Sequence, residues 1–118
     1  MDYEAIVDEF VVYQRDCGVH PDLLAERAAD LVFFGLHLQH HYPEPVLLPN
    51  LTRSVVNGFA NWMKFTLGYS KSSRESICSS VKVFCEYLLG QGILTENVAE
   101  DLRCNHLYLV PAIEFDTQ

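Results

Sequence analysis

The sequence predicts an all-α fold of four to five helices. Three observations carry this: apolar residues recur at three- and four-residue steps, capping residues stand before those runs, and glycine or proline stands after them. At 118 residues and 13.5 kDa, with 49% hydrophobic and 20% charged residues, the chain has the material for one core and one domain.

Helix one covers about residues 3–17: Asp2 offers an N-cap, Tyr3, Ile6, Val7, Phe10 and Val11 keep the helical step, and Gly18 follows the end. Helix two covers about 21–41, with Pro21 suited to a first turn and Leu24, Ala28, Leu31, Val32, Gly35 and Leu38 recurring on one side. Three prolines between Tyr42 and Asn50 then make a stiff connection. Thr52 caps a third helix bearing Val55, Val56, Phe59, Trp62, Met63 and Phe65, which stops at Gly68. Ser72 with Glu75 reads as a capping box for helix four, about 73–90, whose stripe of Ile77, Val81, Phe84, Cys85 and Leu88 runs to Gly90 and Gly92. Thr95 caps a short fifth helix containing Val98 and Leu102. The domain spans 1–104. Residues 105–118 form a C-terminal tail or linker in which Leu107–Val110 reads as a strand, an extended arm or a partner-binding segment.

Eight basic and sixteen acidic residues give a net charge of −8, which argues against a polybasic nucleic-acid binder and against adhesion to anionic membranes. The charge is segmental. Residues 1–30 hold eight acidic and two basic residues, residues 95–118 hold five and one, and residues 31–94 reverse the sign with five basic against three acidic. No run is long and apolar enough to span a membrane and the start lacks the positive region of a secretory signal, so the expected location is cytoplasmic. The four cysteines, Cys17, Cys78, Cys85 and Cys104, show no metal-site spacing and read as reduced, mostly buried thiols.

Several stretches carry a family likeness. From Gly68 to Ala99 a Ser- and Arg-rich helix start is followed by Cys78-Ser79-Ser80-Val81-Lys82-Val83-Phe84, then Tyr87-Leu88, Gly92-Ile93-Leu94 and Asn97-Val98-Ala99. Earlier, Gly18-Val19-His20-Pro21 leads to Asp30-Leu31 and Phe34, and Leu51-Thr52 leads to Phe59 and Trp62. In order and spacing, over about residues 5–102, these resemble the N-terminal core-binding, SAM-like domain of phage integrases and other tyrosine recombinases. The resemblance implies an orthogonal four- to five-helix bundle that lays helices two and four against duplex DNA in site-specific recombination. It also implies a separate catalytic domain, for which this chain has no room, so no catalytic residue, enzyme activity or cofactor is expected. The chain departs from the family in having Ala25, Ala28, Ala29, Ser76 and Ile77 where basic residues are usual.

The candidate DNA-contacting residues are Lys71, Ser72, Ser73, Arg74 and Lys82 around the start of helix four, with Arg53 and Lys64. Helical spacing lets Lys71, Arg74 and Lys82 share a face, and the free N–H groups of a helix start beside serine hydroxyls suit a phosphate oxygen. Plain capping by Ser72 and Glu75 weighs about equally with that reading. Three to five phosphate contacts imply weak, salt-sensitive binding with a log–log slope of about −3 to −4. His37 and His41 share a helix face at zinc-pair spacing, but two ligands make no site, and no metal is expected. The competing reading is a free-standing acidic protein-interaction module that regulates or competes with a recombinase, or self-associates, its acidic first helix attracting a basic protein.

Overall fold

A computed structural model describes residues 2–42 and 48–102. Among them are four α-helices and no strand: α1 (Tyr3–Asp16), α2 (Pro21–His41), α3 (Arg53–Asn61) and α4 (Lys71–Gly90). A 3-10 turn, Leu48–Asn50, precedes α3, and a π-helical turn, Trp62–Thr66, continues it. The all-α expectation holds. The tail proposed for 105–118 lies outside the described residues.

Local chemistry sets the ends. The Asp2 carboxylate accepts from the Ala5 N–H at 2.7 Å and the Thr52 hydroxyl from the Val55 N–H at 3.3 Å, each relieving an orphan donor. His20 caps α2, its Nδ1 accepting from the Asp22 N–H at 3.1 Å, a role that sequence reasoning did not assign. The C-terminal ends of α1 and α4 share one closure. Val19 N–H reaches the Gln14 carbonyl and Gly18 N–H that of Arg15, as Ile93 and Gly92 do to Leu88 and Leu89. Gly18 and Gly92 sit at φ +89 and +74, where a side chain would be strained.

Two expectations fail. The cap of α4 is Ser70, whose Oγ accepts from the Ser73 N–H at 3.3 Å, and Glu75 pairs with Lys71 at 3.8 Å instead of reaching back. The serine run offers several equivalent caps, and the helix takes the one that adds two residues to its start. No fifth helix forms over residues 95–102. Residues 95–102 are turns, in which the Asn97 side chain accepts from the Ala99 N–H at 3.1 Å. So short a segment gains little against the cost of helix nucleation, and an asparagine that bonds its own backbone supplies the alternative.

α2 runs through the middle, packing on α1, α3 and α4. Each helix contributes one phenylalanine exposed by 1% or less: Phe10, Phe34, Phe59 and Phe84. They meet edge to face, Phe10 with Phe84 at 5.3 Å between ring centroids and Phe34 with Phe59 at 4.9 Å. Val98, Ala99 and Leu102 close the same core from the C-terminal turns. α1 is seated on α2 by the Tyr3 hydroxyl, which donates to the Leu31 carbonyl, and by Gly35, where a Cβ would stand 2.8 Å from the Tyr3 ring. No helix among the described residues is long and apolar enough to cross a membrane.

Candidate nucleic-acid interface

Lys71, Ser72, Ser73, Arg74 and Lys82 all lie on α4. At about 100° per residue, Lys71 and Lys82 point within roughly 20° of one another, whereas Arg74 is turned by roughly 60–80° from both. That rotation places Arg74 at the core edge, 8% exposed, where its guanidinium donates to the Tyr69 carbonyl at 2.7 Å. It fastens the loop before α4 to the helix. Lys71 is exposed beside Glu75, and Lys82 is half-buried. The serine hydroxyls form a local net around the cap, with Ser70 Oγ lying 3.1 Å from Ser73 Oγ and 3.4 Å from Ser72 Oγ.

The two remaining cations belong elsewhere. Arg53, in the first turn of α3, faces three carboxylates: Glu100 and Asp101 at 3.2 Å and Glu96 at 3.9 Å. They draw the C-terminal turns back onto α3. Lys64, in the π-helical turn, holds its Nζ 5.4 Å from the Phe65 ring centroid. The structure thus brings Lys71, Ser72, Ser73 and Lys82 together on one helix and turns Arg74, Arg53 and Lys64 to other contacts.

Between α2 and α4 lies a ladder that the sequence reading missed. Ser76 Oγ donates to Glu26 at 2.6 Å and Ser80 Oγ to Asp30 at 2.7 Å. Burial pushes the Asp30 carboxyl above the usual range, the Ser80 hydroxyl opposes that shift, and the Glu26 charge adds to it. The signal was available as two i, i+4 pairs, 26/30 and 76/80, of complementary chemistry. At this seam, which the resemblance assigns to DNA, α2 presents carboxylates, and Ser76 serves as a donor to one of them.

The histidines near the end of α2 separate by burial. His37 is 2% exposed, with its Nε2 at 3.0 Å from the Val55 carbonyl oxygen, while His40 and His41 are exposed. The His37 and His41 rings lie 4.7 Å apart. Among the described residues no group of three His, Cys, Asp or Glu is placed to hold a metal ion. Nearby, Phe33 stacks on Trp62 and Tyr69 at centroid distances of 5.4 and 5.6 Å, a three-ring layer drawn from α2, the π-helical turn and the loop before α4. Cysteine chemistry departs from expectation at one position. Cys78 is disulfide-bonded, whereas Cys17 and Cys85 are free thiols. A disulfide follows from proximity in the fold, which sequence spacing does not report. Burial pushes the Cys85 thiol up to about 12, far from a reactive thiolate.

Comparison of the chain with protein-family models, with curated proteins and with solved structures finds no match.

Proposed function

We propose that this chain is a non-catalytic helical module that binds a basic protein partner through the acidic outer side of α1. The supporting observation is the division of charge. Glu4, Asp8 and Glu9 stand exposed on α1, while the two arginines of the expected DNA cluster are engaged by partners within the chain, Arg74 by a carbonyl and Arg53 by carboxylates. A surface of one sign recruits the opposite sign and repels phosphates. In the setting that the resemblance suggests, the partner is a recombinase subunit and the module regulates it.

A second reading rests on the start of α4. Lys71 stands beside exposed serines at the helix N-terminus, an arrangement suited to a phosphate, and the half-buried Lys82 lies on the same face about 16 Å further along the axis, within reach of a different phosphate. A mobility-shift titration with duplex DNA at low and moderate salt separates the two. The first reading expects no shift at either salt and salt-sensitive binding to a tyrosine recombinase that is lost on reversing the charges of Glu4, Asp8 and Glu9. A low-salt shift abolished by Lys71→Ala with Lys82→Ala refutes it and establishes the second.

A further inference from the structure

α2 is apolar on two opposite sides. Its inner side buries Leu24, Leu31, Phe34 and Leu38. Its outer side presents Asp22, Ala25, Ala29, Val32, Leu36 and Gln39, all exposed, with Val32 at 64% and Leu36 at 50%. These six positions step by three and four residues in strict alternation, the spacing of a seam between paired helices. An exposed apolar stripe that runs along a helix in this way marks a contact surface.

We infer that this seam pairs with the same seam of a second copy of the chain, the two α2 helices running antiparallel about a two-fold axis. Three features on the helix select that occupant. Size is the first, because Ala25 and Ala29 lie at one end and Val32 and Leu36 at the other. Antiparallel pairing sets Ala25 against Leu36 and Ala29 against Val32, whereas parallel pairing stacks small on small and large on large. Charge at the ends is the second. Asp22 in the first turn comes opposite Gln39 and next to His40 in the last turn of the partner helix, and the two helix dipoles oppose. The third is charge along the seam. On a chain of net −8, the outer sides of α1 and α4 carry Glu4, Asp8, Glu9, Glu75 and Glu86, whereas the α2 seam beyond Asp22 carries no ionised side chain. It is a helix face on which two anionic copies approach without the carboxylates that the outer sides of α1 and α4 would bring together.

From Asp22 to Gln39 the seam is about 25 Å long. One helix width of about 10–12 Å over that length covers roughly a third of the ~800 Å² per partner of a standard stable complex, so the dimer is a weak and reversible one. The inference stands apart from the charge-based reading of α1.

Sedimentation velocity on the full chain over about 1–500 µM tests it. The expected weight-average mass rises from the 13.5 kDa of one chain toward twice that value. Val32→Glu holds the protein at monomer mass across the range, and at about 1 µM, where both proteins are monomers, its melting temperature matches the wild type because Val32 is exposed in the single chain. The exchange Ala29→Val with Val32→Ala, which trades large for small across the facing pair, keeps the dimer. A wild-type protein that stays monomeric overturns the inference. So does a dimer indifferent to Val32→Glu, or one that disappears in Cys17→Ser and is therefore a disulfide through the exposed Cys17.

Discussion

His37 gives this bundle a defined weakness to acid. Burial lowers its pKa from the ordinary 6.5 to about 4, with the Val55 carbonyl opposing the shift and the neighbouring His41 and His40 reinforcing it. The unfolded chain protonates this ring at a higher pH than the folded one, so between about 6.5 and 4 the unfolded state holds more protons and stability falls as pH falls. Above pH 7 the penalty is absent. By pH 4.5 it reaches about 2.5 kcal/mol, from the ratio of the two binding polynomials at 1.36 kcal/mol per decade. His37→Gln keeps an N–H donor for the Val55 carbonyl and removes the titration. Urea unfolding of both proteins from pH 7.5 to 4.5 is the assay. The variant is expected to be less stable at pH 7.5, having lost ring contacts with Phe59 at 5.1 Å and Trp62 at 5.4 Å, and to gain about 2.5 kcal/mol on the wild type by pH 4.5. Parallel pH profiles would refute the reasoning.

Gly35→Ala drives a methyl group into the Tyr3 ring and should cost about 1–3 kcal/mol in denaturant unfolding, while Gly58→Ala, which meets nothing within 4 Å, should not lower stability. Phe84→Ala removes the ring that meets both Tyr3 and Phe10 and should cost about 3–5 kcal/mol by the same measurement. Arg74→Met loses a charged hydrogen bond to the Tyr69 carbonyl and should cost about 1.5–3 kcal/mol, with amide exchange accelerating first in residues 67–73. Arg53→Gln releases three carboxylates from α3 and should speed exchange at Glu100 and Leu102, the effect fading in high salt because the pairs are partly exposed.

Helix existence was legible wherever an apolar stripe ran for three turns or more between punctuating residues. α2 was bounded by Pro21 and by the histidines before Pro43, and the structure gives it the same ends. Caps were legible where one candidate stood alone, as at Asp2 and Thr52, and were misplaced where Ser70, Ser72 and Ser73 compete. The short helix after Thr95 was overread because Val98 and Leu102 have helical spacing, although both are buried equally well from turns. At the candidate site, residue type and spacing placed Lys71 and Lys82 on a common side of α4. They did not reveal that Arg74 is claimed by a carbonyl five residues back, or Arg53 by carboxylates more than forty residues ahead. The Arg53 pairing is set by tertiary proximity, and the Arg74 bond by the way the chain turns into α4. The apolar outer stripe of α2 was hidden for the opposite reason, since Val32 was counted with the inner face on which a single chain does not use it.

The π-helical turn after Asn61 accommodates one residue more than an α-helical repeat requires, with the Leu67 N–H reaching the Trp62 carbonyl at 3.1 Å. A chain holding such a surplus can shed it without opening a gap in its backbone bonding. Losing one residue there would regularise the helix and swing everything beyond it by about 100°, carrying Tyr69 off the ring of Phe33. The extra residue is therefore retained by what its neighbours grip, and a length change at this point would reveal whether the aromatic layer or the helix ladder governs the bend into α4.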